Sequence, residues 1–568
     1  MLAARASWNR RVPGGLVRRR RGGRACRGPR LERGASGVRA RDLPFRALAR
    51  RDTRSSRSAD CRTRAAPGGG PGGTGIHARR PRGRCGGGHP TARRGVGDRV
   101  RAVVVGGGLA GAAAALELAS RELEVTLVSA GAGATALSFG SLDVAVPSPG
   151  VSGLPLRDAT ATRLLSPRER LAACLRTRPR HPYATLFGHS GAGSAESAAT
   201  DAVKSAAASL DGWLAPSGLR VEGGLDSARL LANVRGALRA SDFAFTGPAE
   251  GDLQGAAEVE VAAIAGLAQH DARPLARALA AEFAAIGLAR PALRVVPLPL
   301  PGGFVADGGS PARLAARTDT EEGLGVLLEA VAGRHRDEAR FRRADGERRL
   351  LLLPPILGFS GVKAKLARLR EAAGCRVAEC LGAPPASPAG LRLVRALDAA
   401  LSREGVVVKQ GRVCALERTG RRVCAVRLSL REGASHTEER LEAEAILLAT
   451  GRFLGGGIHE REGGVHETLL DLPLYDGAGV RVDGLAARRL VGPSPEGPQG
   501  LFSLGVRTDS CLRPLGSDGA PLFENLFAAG DLVGGFDSAV ERTGLGVALL
   551  TGLRAAAEMG RLVEEESP

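Results

Sequence analysis

Arg101-Ala-Val-Val-Val105-Gly-Gly-Gly108-Leu-Ala-Gly111 runs from a β-branched stretch straight into a glycine turn. The Ala/Leu-rich segment 112–120 follows, and then a second β-branched run, Val125-Thr-Leu-Val128. The order predicts a β-α-β unit of about thirty residues, the context in which G-x-G-x-x-G binds a nucleotide. Gly106 permits the tight turn, Gly108 lets backbone approach a phosphate, and Gly111 lets the helix pack close to the strand. The helix N-terminus then offers its N–H groups to that phosphate. One element is missing. An acidic residue usually ends the second strand and holds the adenosine ribose, but Ser129-Ala-Gly131 stands there and Asp143 comes too late. Either the ribose is held in another way, or the cofactor has no adenosine half, as in FMN.

Outward from this unit, the pattern changes between about 150 and 395. Helical stretches are expected at 195–213, 227–239 and 274–286, and strands at 259–264 and 350–353. The run 259–265, a turn through Asp271 and the following helix read as a further β-turn-α unit. From Glu404 the first pattern resumes. Val406–Lys409 is a strand, and 412–416 with 421–430 makes a hairpin around Thr419-Gly420. Ala445-Ile-Leu-Leu-Ala-Thr-Gly451 is a buried strand, and Glu524–Asp531 is another that closes on Gly530-Asp531. The fold class expected is α/β: a Rossmann-like FAD/NAD(P)-binding domain in two parts, 98–150 and 396–568. An inserted α/β substrate or cap domain, 151–395, separates them.

Residues 1–97 hold 26 Arg, no Lys and four acidic residues, a net charge of +22. The other 471 residues net −1, so the basicity of the chain belongs to this stretch alone and the body shows no nucleic-acid footprint. The stretch has no apolar periodicity that could offset its conformational entropy, and it is expected to be a disordered Arg/Gly-rich tail. An RNA- or membrane-binding tail and a transit peptide are weighed against an over-long reading frame whose true start lies near Val96–Arg99. We favour the last. The uncharged run 102–116 is too short for the ~20 residues of a spanning helix. None of the nine Cys form a C-x-x-C pair, so no metal site is expected and reduced thiols are the default.

The order of Gly-rich loop, hairpin layer, Ala-Thr-Gly strand end and terminal Gly-Asp resembles the two-dinucleotide-binding-domain flavoproteins. More specifically, Ser138-Phe-Gly-Ser-Leu-Asp143, His181-Pro-Tyr183, Thr450-Gly-Arg-Phe-Leu-Gly-Gly-Gly457, Gly505-Val-Arg-Thr-Asp509 and Leu512-Arg-Pro514 look like one family. With Asn525-Leu-Phe-Ala-Ala-Gly-Asp-Leu-Val-Gly-Gly-Phe-Asp537 they resemble the B subunit of the anaerobic, quinone-linked glycerol-3-phosphate dehydrogenase, over about 100–560. The resemblance implies FMN, with FAD as the alternative, and makes Asp531 the ligand of a ribityl hydroxyl. It puts Gly544 and Gly546 at the start of a helix aimed at the flavin ring, and Ser138, Ser141, Gly451 and Gly530 among the cofactor contacts. It implies a larger flavin-bearing A subunit and a membrane-anchoring iron–sulfur subunit as partners. The location implied is cytoplasmic, touching the inner face of the membrane only through that complex, with no nucleic-acid partner.

The implied reaction oxidises glycerol 3-phosphate at C2 to dihydroxyacetone phosphate and passes electrons to quinone. Its base should titrate near neutrality, which makes His the first candidate. His181 ranks first among His181, His189, His270, His335, His436, His459 and His466, against the alternative of a structural histidine capping a turn before a helix. For the phosphate the candidates are Arg452, Arg507, Arg513 and Arg542. Whether this subunit itself transfers hydride stays open. The competing readings are a stand-alone FAD enzyme of the fumarate-reductase or ketosteroid-dehydrogenase kind, a flavin-free scaffold subunit, and an RNA-binding protein.

Overall fold

The strand Arg101–Val105 (β1) lies in the middle of a seven-stranded sheet, with Glu124–Ser129 (β2) parallel on one side and Ala445–Leu448 parallel on the other. A computed structural model describes residues 101–145, 164–188, 191–305, 309–334, 346–382, 387–432, 435–494 and 499–566. The expected disordered tail, 1–97, and the candidates His189 and His335 lie outside the described residues. β1 is apolar on both faces because both are covered. Ala102 and Val104 pack into one core cluster and Val103 and Val105 into another, the pattern of a central parallel strand.

The helix Leu109–Ser120 (α1) covers the first face. Its Ala112–Ala115 run is almost wholly buried, and small side chains let the last helix, Gly544–Glu566, cross it closely. A Cβ at Gly552 would come within 2.4 Å of the Ala110 carbonyl oxygen. Leu526–Ala528 continues the parallel sheet beyond Ala445–Leu448. On the other edge, Val407–Thr419 pairs with β2 through its first four residues. It then leaves the parallel sheet to run antiparallel to Arg422–Glu432. The two segments expected at 406–409 and 412–416 are therefore one continuous strand. A third strand, Ser435–Glu442, adds to the hairpin.

A second, four-stranded sheet is all parallel, in the spatial order Arg376–Glu379, Arg349–Leu353, Glu258–Ala263, Ala292–Pro297. Helices Ala272–Ile286, Glu321–Gly333 and Val362–Ala373 bury its two faces. Not all of the stretch between 164 and 403 belongs to this layer. Helices Ala192–Leu214 and Pro388–Arg403 send Val203, Leu210, Leu393 and Leu397 into the core beneath α1.

The segment expected to be helical at 227–239 is instead a β-hairpin, Arg229–Ala232 with Leu238–Ser241. Leu230, Val234 and Leu238 recur every four residues, which mimics a helical face. The turn chemistry overrides that pattern. Asn233 Oδ1 accepts from Arg235 N (2.9 Å) and Ala237 N (3.0 Å), and Gly236 takes φ +82°. Among the described residues no helix is long and apolar enough to cross a membrane.

Candidate functional site

The glycine turn is shaped by backbone contacts on two sides. Gly106 has φ +123°, and a Cβ there would lie 2.1 Å from the Ala449 carbonyl oxygen. Its N–H donates to Val128 O (2.8 Å), which closes the turn onto β2. A Cβ at Gly111 would sit 1.9 Å from Gly106 O, so α1 can enter at this angle only with glycine there. Gly108 differs: nothing is nearer to its Cβ position than Thr135 Oγ1 at 3.4 Å, and the position opens into a cavity. Thr135 Oγ1 also accepts the first helical N–H, that of Leu109 (2.9 Å).

The cavity encloses about 630 Å³, well within the range of cofactor sites. Gly106, Gly108, Thr135, Ser138, Gly451, Arg452, Gly530 and Asp531 line it. Beyond the glycine turn its wall continues past Val128, Gly131 and Gly411–Val413, at the C-terminal end of β2. Toward the last helix the wall is Ser141, Arg239, Arg542 and Gly544.

Asp531 Oδ1 is buried without a hydrogen-bond partner, 3.5 Å from Arg452 Nη2. Burial pushes the Asp531 carboxyl up, and Arg452 pulls it back. Arg452 is itself buried, with its guanidinium 5.5 Å from the Phe536 ring centroid, and desolvation lowers its pKa. The hydroxyls of Ser141 and Thr450 are likewise buried and unpartnered in the cavity wall. A wall with a carboxylate oxygen and hydroxyls that lack hydrogen bonds, and a glycine open to the void, suits a polyhydroxylated, phosphorylated group such as a flavin nucleotide.

Gly111 and Gly546 do not line this cavity and act through packing. A Cβ at Gly546 would lie 2.5 Å from Asp143 O and 2.8 Å from Tyr183 Oη. His181 is also outside the cavity, fully buried as the N-cap of helix Pro182–Phe187. Its Nδ1 accepts from Tyr183 N (3.2 Å), and its Nε2 lies 3.2 Å from Glu541 Oε2. The His-Pro pair thus folds locally as a capped helix start, with the imidazole against Glu541 and not among the residues that line the cavity. Arg507 lies over the Tyr475 ring (5.0 Å) and Arg513 pairs with Asp509 (2.8 Å), both away from the cavity wall. His459 bonds to Thr468 Oγ1 (3.1 Å), and His466 faces Asp471 (3.5 Å).

Thr135, Arg239 and Arg412 line the cavity without a motif that marks them in the sequence. Thr135 follows β2 in a short 3-10 turn, where a hydroxyl carries no signal of its own. Arg239 reaches the site only because its segment is a hairpin. A Cβ at Gly456 would lie 3.5 Å from Arg412 Nη2, so this side chain spans from the long strand to the glycine loop after Gly451.

A family profile described as an FAD binding domain matches residues 101–547. A Halobacterium salinarum protein, named as the probable B subunit of an anaerobic glycerol-3-phosphate dehydrogenase, is 31% identical over 48% of this chain and 61% of its own length. The chain thus spans about three-fifths of that relative. A Yersinia enterocolitica protein, named as the B subunit of the same enzyme, is 28% identical over 81% of this chain and 98% of its own. Among solved structures, a 3-ketosteroid dehydrogenase from Rhodococcus jostii covers 82% of this chain and is itself covered over 98%. It shares 13% identity at a TM-score of 0.30. The family binds FAD, and the expectation of FMN finds no support in it. Beyond β2 the cavity wall continues through Gly131 to Gly411–Val413, which the missing acid after β2 does not foreshadow.

Proposed function

The chain belongs to the FAD binding domain family, and from that membership we propose that it is the flavin-carrying B subunit of an anaerobic glycerol-3-phosphate dehydrogenase. The observation that carries this reading is the similarity to the Yersinia protein, which runs through nearly the whole of that relative. The cofactor proposed is FAD. Gly106 and Gly108 would admit its pyrophosphate to the start of α1, Asp531 its ribityl chain, and the last helix would point its N-terminus at the ring. When bound, the flavin supplies a two-electron acceptor. Oxidation of glycerol 3-phosphate at C2 releases two electrons and two protons and yields dihydroxyacetone phosphate. The electrons would pass through an iron–sulfur partner to quinone at the membrane face, with a larger flavin-bearing subunit as the second partner. In this reading the layer built on the second parallel sheet, within 151–395, is the cap over the substrate side.

One observation favours a second reading, in which this subunit relays electrons and its larger partner takes the substrate. Among the described residues lining the cavity there is no histidine, and Asp531 is the only carboxylate. Both readings meet the same experiment. The full chain, alone and co-expressed with its partners, is examined by visible spectrum and chromatography of the released flavin. FAD bleached by glycerol 3-phosphate supports the first reading. FAD that reduces only when the larger subunit is present and carries its own flavin supports the second, and a colourless protein refutes both.

A further inference from the structure

Two arginines meet at the end of the cavity next to the last helix, and only one of them is neutralised. Arg239, on the strand Leu238–Ser241, donates from Nε to Asp143 Oδ2 (2.7 Å). Its Nη2 pairs with the same oxygen and reaches the Arg542 carbonyl at 3.4 Å. Arg542 has no ion pair among the described residues, although it is half-buried. It holds φ +62°, an unusual conformation for a non-glycine residue, in the turn just before Gly544. From this geometry we propose that Arg239 and Arg542 form the site for the phosphate group of a small phosphate-monoester substrate. The proposal rests on the reading of the protein as a glycerol-3-phosphate dehydrogenase subunit and assigns the substrate's anchoring group within it.

The surroundings are built to keep Arg239 in place. Asp143 Oδ1 accepts the backbone N–H of Asp242 (3.1 Å). Asp242 in turn holds Val144 N (2.8 Å), Ala145 N (2.7 Å) and the buried Arg170 (2.5 Å). The carboxylate that ties down Arg239 is thus fixed by a chain of buried bonds and cannot swing away with it. No partner for Arg239 Nη1 exists among the described residues, which leaves an N–H edge of a guanidinium that lines the cavity uncommitted. Two guanidiniums and one carboxylate leave a net positive charge, and planar N–H forks match phosphate oxygens. Burial and the neighbouring Arg239 both lower the Arg542 pKa, so the pair is in a repulsive arrangement that a bound oxyanion relieves. Ser141 Oγ, buried and unpartnered in the same wall, supplies a further donor.

The test uses the flavin-loaded full chain and measures inorganic phosphate binding by calorimetry, alongside flavin bleaching by glycerol 3-phosphate and by glycerol. The wild type is expected to bind phosphate in competition with glycerol 3-phosphate. R239Q and R542Q, compared per mole of bound flavin, should each weaken phosphate binding at least tenfold and should erase the preference for glycerol 3-phosphate over glycerol. D143N keeps both guanidiniums but removes the charge that neutralises and fixes Arg239, and should change phosphate affinity severalfold. It carries the test should R239Q not fold. Unchanged phosphate affinity in R239Q, R542Q and D143N overturns the site, even where glycerol 3-phosphate still bleaches the flavin. Phosphate binding that the variants abolish, in a protein that glycerol 3-phosphate never reduces, keeps the oxyanion site and removes only the reading of the substrate.

Discussion

His181 Nε2 lies 3.2 Å from Glu541 Oε2, which joins the start of helix Pro182–Phe187 to the short helix Ser538–Glu541 beside the cavity. Arg178 Nη1 holds the other carboxylate oxygen at 2.5 Å. Both ring nitrogens of His181 therefore face protein groups, and the histidine serves as a strut between two segments distant in sequence.

This strut has a pH signature. Burial holds the His181 imidazole below its ordinary 6.5, against the pull of Glu541. The unfolded chain takes up a proton first as pH falls, so the neutral ring's contribution is complete above about 6.5 and is lost progressively below it. Burial opposes ionisation of Glu541, yet His181 and Arg178 outweigh it and hold that carboxyl below 4.5. Its contribution is present above 4.5 and disappears only at lower pH. Thermal melts between pH 7.5 and 5.5 should show Tm falling in the wild type and a flatter profile in H181N. Parallel profiles would remove His181 from this role.

Gly108→Ala and Gly111→Ala should fail in different ways. At Gly111 the new methyl meets the Gly106 carbonyl at 1.9 Å, an overpacking expected to cost roughly 1–3 kcal/mol even without cofactor. At Gly108 the methyl meets only Thr135 Oγ1, at 3.4 Å, and projects into the cavity. Gly108→Ala should leave the Tm of the flavin-free protein within a degree or two while flavin content after gel filtration drops severalfold. Equal losses of Tm in both variants would contradict the distinction.

Asp531→Ala removes a carboxylate that has a buried, unpartnered oxygen. The flavin-free protein should lose stability, because the substitution leaves the buried Arg452 without the carboxylate 3.5 Å from it and removes a bond to Ser538. Flavin affinity should fall about tenfold, equivalent to roughly 1.4 kcal/mol for one lost bond to a charged group. Fluorescence titration with FAD measures the affinity. An unaltered Kd would exclude Asp531 as a cofactor ligand.

Asn525 is fully buried and binds three backbone groups: it accepts from Val423 N (2.9 Å) and donates to Val423 O and Glu444 O (both 2.8 Å). It fastens the antiparallel hairpin to the parallel sheet just before the strand Leu526–Ala528, which leads into the turn at Gly530-Asp531. Asn525→Ala strands all three groups and should cost about 3–5 kcal/mol in denaturant unfolding. A loss below about 1 kcal/mol would mean that water replaces the side chain.

Local chemistry made much of this protein legible from its sequence. The unit 101–128 was readable because β-branched alternation, glycines required by backbone contact and an alanine-rich helix each speak within a few residues of one another. The segment ending at Gly530-Asp531 was readable for the same reason, and with Gly106 and Gly108 it marked the cavity wall. The substrate end was not. Arg239 reaches the cavity through Asp143, ninety-six positions earlier, and a four-residue apolar repeat disguised its hairpin as a helix. The missing acid after β2 argues for a smaller cofactor, whereas the family profile points to FAD, and the wall at Gly411–Val413 is supplied by a strand nearly three hundred residues on. The His-Pro-Tyr motif makes His181 legible in the sequence. Its contact with Glu541 follows from no spacing in the sequence. Residue type and short-range order determined which elements form and where a nucleotide enters. Only tertiary structure decided which charges face the void, because that depends on which distant segments close over one another and which carboxylates they bury as partners.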